Sequence, residues 1–238
     1  MPPQSHDAYR WVAPIYEALG ELYTGGAIRR LKQTAARTLR PGDRVLCAGG
    51  GAGEEARFAL ARGAEVTVVD RSHAMLDRCR RRAGGEVTLI RADLHPDAEF
   101  QDRPHGIDLS SFDQVWAHFF LNVFDRSTAP RVLRSLSRYA KPGGSILVSD
   151  FIPGGAGAHL YYGVPLIAFT LATGNAWHSI HDVGAWVVPN ATLESHPSIP
   201  SPANRAGRCF HVGPRLVGQW VFRCLPRTGR DGVSDVEA

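Results

Sequence analysis

Five residues, Gly49-Gly50-Gly51-Ala52-Gly53, sit between an apolar run, Asp43-Arg44-Val45-Leu46-Cys47-Ala48, and a helix-forming run that opens with Glu54 and Glu55. Glycines between a strand and a helix let the backbone turn tightly and come close to a ligand. Asp70 ends the next apolar run, 19 residues after Gly51. A carboxylate there can accept both hydroxyls of a ribose, and strand, glycine loop, helix, strand, acid is an adenosine-binding arrangement. Charge then narrows the nucleotide. A dinucleotide site favours G-x-G-x-x-G and an anion at the helix N-terminus. Glu54 and Glu55 at that helix start would repel a diphosphate, while they suit the helix dipole. They tolerate a cofactor with no phosphate and with local positive charge. S-adenosylmethionine has that character in its sulfonium and ammonium. No Gly-Lys-Ser/Thr follows the loop, which excludes a P-loop.

A second group of reactive side chains follows the fourth apolar run, in His118-Phe119-Phe120-Leu121-Asn122-Val123-Phe124, and a third in Asn175-Ala176-Trp177-His178-Ser179-Ile180-His181-Asp182. An aromatic wall favours a flat or apolar acceptor, or a cation held on π faces. His118 and His178 are candidate bases, since neutral imidazole takes a proton near neutral pH. Asn122 is polar within an apolar run and needs a partner when buried, so it is a candidate ligand contact. Tyr161 and Tyr162 open an apolar segment, and Tyr162 joins the catalytic candidates. Asp150 ends the fifth apolar run. His178 and His181 lie three apart without an evident third ligand, so no metal site is expected.

These residues require an alternation of strands and helices, the mark of an α/β layered fold. Strands are expected at Asp43 to Ala48, Glu65 to Asp70, Glu86 to Ile90, Phe112 to Phe119 and Ser145 to Asp150. Helices are expected at Glu54 to Arg62, from a Ser72 cap to about Arg82, and after a Ser127 cap with Val132, Leu133, Leu136 and Tyr139 at helical spacing. Lys141-Pro142-Gly143-Gly144 reads as a turn. Residues 1–40 read as a helical cover, 41–150 as the cofactor-binding core and 151–186 as a substrate lid with an apolar helix from Leu160 to Leu171. Residues 187–225 read as two strands joined by a Pro-rich loop, and 226–238 as a polar, disordered tail, all within one domain.

The 238 residues carry 27 basic and 23 acidic side chains, a net charge of +4. Lys32 and Lys141 are the lysines and the rest of the basic residues are arginine. The densest cluster, Arg78, Arg80, Arg81 and Arg82, lies on one expected helix beside Asp77 and reads as a solvated helix end. A nucleic-acid binder would interleave aromatics with its basic clusters. Cys47, Cys79, Cys209 and Cys224 are widely spaced with no C-x-x-C pair, which fits a reducing compartment. No charged-then-apolar leader opens the sequence and no apolar run approaches the ~18 residues of a membrane span. A cytoplasmic protein without membrane or nucleic-acid partners, monomeric or homodimeric, is expected.

The chain resembles the class I S-adenosylmethionine-dependent methyltransferases, most nearly the small-molecule branch that includes ubiquinone and menaquinone C-methyltransferases. The resemblance rests on Ala13-Pro14-Ile15-Tyr16-Glu17, on Val45 through Gly53, on Val69-Asp70 with Met75-Leu76, and on Ala92-Asp93-Leu94, Phe112-Asp113-Gln114-Val115 and Lys141-Pro142-Gly143-Gly144. It implies a Rossmann-like, mostly parallel seven-stranded sheet with helices on both faces. It also implies roles. Gly49, Gly51 and Gly53 would line the methionine and ribose, and Asp70 would hold the ribose hydroxyls with Arg71 beside it. Met75 would pack on the adenine, with Asp93 and Leu94 at its edge. Ala117 and His118 would lie near the methionine end, and Tyr16 would close over the cofactor. The family often has an acid where this chain has Cys47.

The first functional expectation is methyl transfer to a small aromatic or secondary-metabolite acceptor. The alternative keeps the cofactor and lets its own amine attack its γ-carbon, releasing methylthioadenosine and a four-membered amino acid, azetidine-2-carboxylate; Cys47 in place of an acid fits a free amine. A nucleic-acid methyltransferase would carry an Asn/Asp-Pro-Pro-aromatic motif for a flipped base, and none follows the fourth strand. A cofactor-binding relic or partner subunit without turnover is the remaining reading.

Overall fold

The computed structural model describes residues 24–84, 86–98, 105–152, 180–188, 190–194, 210–211 and 217–225. Five parallel strands form its centre: β1 (Arg44–Ala48), β2 (Glu65–Asp70), β3 (Val87–Arg91), β4 (Phe112–His118) and β5 (Ala140–Phe151). Three more follow, β6 (Ala191–Glu194), β7 (Phe210–His211) and β8 (Val217–Cys224). The order across the sheet is β3-β2-β1-β4-β5-β8-β6, with the two-residue β7 on β8. The last strand therefore inserts between β5 and β6 and runs antiparallel to both. This is the mostly parallel, seven-stranded path the sequence implied. The C-terminal part departs from the expectation of two strands by the addition of β7.

β1, β4 and β8 are buried along nearly their whole length, because helices cover both faces of a parallel sheet. Side chains of odd and even positions part to opposite faces. Val45, Cys47, Trp116, Leu147 and Val221 face α1 (Ala27–Arg37), α2 (Glu54–Leu60) and α3 (His73–Ala83). Leu46, Val115, Ala117, Ile146, Val148, Trp220 and Phe222 face α4 (Ala129–Ser137), through Val132, Leu133 and Leu136. The 3₁₀ turn Val183–Ala185 belongs to the α4 face, where Val183 is fully buried. The end of the segment read as a lid is thus part of the core.

Local chemistry accounts for the boundaries. Ser72 caps α3 by accepting from the Met75 amide, and Gly84 ends that helix at φ 86°. The expected Ser127 cap of α4 is displaced by one residue: Thr128 is the N-cap. Asp125 takes the capping contacts instead, accepting from both amides and both hydroxyls of Ser127 and Thr128. Those donors hold the Asp125 carboxyl well below the usual carboxylate range. The expected turn at Lys141–Gly144 is a bulge inside β5. Ala140 pairs with Phe112 and Ser145 with Gln114, so Lys141, Pro142 and Gly143 loop out to solvent between them. β4 ends one residue early, since Phe119 turns left-handed at φ 54°.

Candidate functional site

The glycine loop joins the carboxyl end of β1 to α2, and each glycine in it answers a different demand. A Cβ on Gly53 would stand 2.4 Å from Cys79 Sγ and 3.0 Å from Cys79 Cα, so Gly53 lets α2 and α3 meet. On Gly50 it would stand 2.7 Å from Val68 Cγ1. On Gly49 it would fall 2.1 Å from the ring of Phe120, which lies over the loop. Among the described residues, a Cβ on Gly51 would meet only the Gly49 carbonyl, at 3.9 Å. Gly49, Gly51 and Gly53 all have positive φ. Gly53→Ala should therefore destabilise the fold by roughly 2 kcal/mol through overpacking against α3, and Gly51→Ala by about 1 kcal/mol through its backbone conformation alone; urea unfolding of the two variants measures the difference.

Asp70 closes the loop from β2. Its Oδ2 accepts from the Gly51 amide at 3.0 Å and its Oδ1 from the Ser72 amide at 2.9 Å. Burial raises its pKa, against the pull of those two amides and of Arg71. Each carboxylate oxygen has a second lone pair, so the side chain can still take hydroxyl donors. Ala92 donates from its amide to the Asp70 carbonyl, which brings the β3 end alongside. There Asp93 accepts from the His95 amide at 2.8 Å and Leu94 packs on the core. Arg71 is exposed and Met75 half-buried on the first turn of α3. Gly49, Gly51, Gly53, Asp70, Arg71, Met75, Asp93, Leu94, Ala117 and His118 thus all gather along the carboxyl edge from β3 to β4. Tyr16, Tyr162 and His178 lie outside the described residues.

The sheet separates two catalytic candidates. His118 faces the α1 side and is 4% exposed. Its Nδ1 pairs with Ser149 Oγ at 2.8 Å, Gln219 donates to the same oxygen at 3.0 Å, and Nε2 has no hydrogen-bond partner among the described residues. Burial and the Lys32 charge push its pKa down to about 3, so the ring is neutral and a weak proton acceptor at neutral pH. Asn122 lies on the α4 side, in the 3₁₀ turn Leu121–Val123, and donates to Asp150 Oδ1 at 3.0 Å. Asp150, at the end of β5, also accepts from the Phe151 amide at 2.8 Å; its Oδ2 is buried without a hydrogen-bond partner among the described residues. Phe120 and Phe124 meet edge to face beside this turn, 5.1 Å apart.

Three features were beyond the reach of the sequence. One is the charge cluster beneath the loop: Lys32 lies 2.9 Å from Glu55 and 3.6 Å from Glu54, with Arg29 3.9 Å from Glu54. The two carboxylates that argued against a diphosphate are therefore largely matched by α1 cations. Another is Cys47, which points into the apolar cluster of α1–α3, where burial first, then Glu55, holds its thiol neutral with a pKa well above normal. The last is the unpartnered Asp150 oxygen; its only signal was an acid ending an apolar strand. A cavity of about 500 Å³ opens at the opposite, amino-terminal edge, among Arg44, Gly63, Glu65, Thr67 and Phe112, and touches none of these groups. Among the described residues no group of three His, Cys, Asp or Glu side chains is placed to hold a metal, and no described helix is long and apolar enough to cross a membrane.

Residues 45–144 match the methyltransferase domain family. With the sheet order and the glycine loop, that stretch has the build of a class I methyltransferase domain. The ubiquinone/menaquinone biosynthesis C-methyltransferase of Vibrio campbellii is 33% identical over 153 residues, covering 61% of this chain and 56% of that protein. The chain thus spans little more than half the length of this curated relative. An O-methyltransferase family protein from Burkholderia thailandensis superposes with a TM-score of 0.58 at 14% identity, over 90% of this chain and 59% of the other. The 1,6-didemethyltoxoflavin-N1-methyltransferase of the same organism, solved with 1,6-didemethyltoxoflavin and S-adenosylhomocysteine, superposes with a TM-score of 0.51 at 14% identity over 92% and 90%. At these identities the structural likeness is one of fold.

Proposed function

We propose that the chain transfers a methyl group from S-adenosylmethionine to a small aromatic or secondary-metabolite acceptor. The observation that carries this reading is the Asp70 carboxylate fastened to the Gly51 amide, beside a Gly51 whose Cα no described side chain crowds. When bound, S-adenosylmethionine supplies an electrophilic methyl group on a sulfonium. Asp70 holds the ribose hydroxyls, flanked by Arg71. Met75, Asp93 and Leu94 surround the adenine, and the loop backbone from Gly49 to Gly53 lets the sugar and methionine approach. Ala117 and His118 border the methionine end. Tyr16 is a proposed cofactor contact, and Tyr162 and His178 are proposed acceptor contacts. The protein's main contribution is alignment of the two reactants. Phe120 and Phe124 favour a flat acceptor over a nucleic acid.

Product analysis tests this. The chain is incubated with S-adenosylmethionine alone, then with demethylmenaquinol, phenols and amines. Acceptor-dependent S-adenosylhomocysteine is the expected nucleoside. Methylthioadenosine formed without any acceptor would replace the proposal with the intramolecular ring closure that yields azetidine-2-carboxylate.

A further inference from the structure

Asp150 is 2% exposed and sits at the carboxyl end of β5, the edge on which ligands of open α/β sheets bind. One oxygen is fully used. Asn122 Nδ2 and the Phe151 amide both donate to Oδ1, which fixes the carboxyl plane. The other, Oδ2, is buried without a hydrogen-bond partner among the described residues, although the Asn122 backbone amide also acts on the carboxyl. A buried carboxylate oxygen without a donor is costly, so this atom either carries a proton or meets one on a ligand. His118 has a comparable unpartnered nitrogen, but it lies on the opposite face of the sheet and its affinity for a proton is low.

We infer that Asp150 Oδ2 accepts the proton of the methyl acceptor, and that the acceptor is a neutral, proton-bearing nucleophile such as a phenol or hydroquinone. This rests on the methyltransferase reading above. As the acceptor atom bonds to the methyl carbon, the carbon–sulfur bond breaks, its electron pair stays on sulfur, and the acceptor's proton passes to Asp150. Asn122 is the positioning residue. The donors to Oδ1 lower the affinity of Asp150 for the proton, while burial raises it to a pKa of about 7, so base and conjugate acid are both populated near neutrality. Among the described residues, the titratable groups on the surrounding elements are His118 across the sheet, Asp125 beyond the Asn122 turn, His95 against Phe124, and His181 and Asp182 ahead of the 3₁₀ turn Val183–Ala185. None of them sets this shift; burial and the hydrogen bonds from Phe151 and Asn122 do. A thioether or tertiary amine, with no proton to lose, would have no use for this carboxylate.

The test compares the full chain with Asp150→Asn and Asn122→Ala, using 1,4-naphthohydroquinone, 4-methoxyphenol and the more acidic 4-nitrophenol as acceptors. The wild-type rate should rise with pH to a plateau, with its midpoint near 7. Asp150→Asn should lose more than 100-fold in kcat on the two weakly acidic acceptors and much less on 4-nitrophenol, which ionises by itself. Its calorimetric affinity for S-adenosylmethionine should stay within twofold. Asn122→Ala should move the midpoint upward. Infrared titration should show a protonated-carboxyl band fading near pH 7 in the wild type and absent from Asp150→Asn. Equal losses on all three acceptors, an unchanged rate, or no such band would overturn the inference while leaving methyl transfer in place. If the wild type binds S-adenosylmethionine yet methylates none of the three, methyl transfer falls and the inference with it.

Discussion

Asp70→Ala should weaken S-adenosylmethionine binding by more than tenfold, at least about 1.4 kcal/mol. The side chain does two things at once. It fastens the Gly51 amide at 3.0 Å and the Ser72 amide at 2.9 Å, so the glycine loop and the start of α3 are tied to the end of β2. It also offers its free lone pairs to the ribose. Alanine removes both, and a hydrogen bond to a charged group contributes roughly 1.5–3 kcal/mol. Asp70→Asn keeps one acceptor oxygen and should fall between the two. The elevated pKa adds a pH signature. Affinity should fail on acidification sooner than an ordinary aspartate would cause, because the protonated acid cannot accept from two amides and a ribose together. Titration calorimetry measures all of this, and an unchanged affinity in Asp70→Ala would remove the main anchor of the adenosine site.

Lys32→Met should destabilise the fold by about 3 kcal/mol at pH 7, the scale seen when one partner of a buried ion pair is removed. Glu55 is nearly inaccessible, and Lys32 Nζ is its cation at 2.9 Å. Methionine matches the aliphatic stem and so isolates the charge. For a domain of this size the loss corresponds to a drop of roughly 6–12 °C in Tm. Lys32→Met combined with Glu55→Gln should regain most of the stability. No recovery in the double variant would mean that Lys32 acts through packing alone.

The sheet and its carboxyl edge were largely legible in the residues. Runs such as Glu65–Asp70 are short, apolar and bounded by glycine or a capping serine, and parallel strands buried on both faces leave that trace. The glycine loop and Asp70 were legible for a related reason: the chemistry needs particular residue types at a fixed spacing. What escaped depended on packing between distant segments. Nothing near Lys32 in the chain says that it will reach Glu55 on α2. Strand parity sends His118 and Asn122 to opposite faces only once Phe119 has turned left-handed. Asp150 could be seen to end a strand, but its orphaned oxygen depends on where Asn122 and the Phe151 amide are spent. Thr128 displaced Ser127 as a cap because Asp125 collects the donors of both.

A crystal structure of the chain with S-adenosylhomocysteine tests the central claim most directly. The account predicts the ribose hydroxyls on the Asp70 carboxylate, the sugar over Gly51, and the Phe120 ring moved off Gly49, where it now lies. A nucleoside bound away from Asp70, with the Phe120 ring still resting on Gly49, would contradict it.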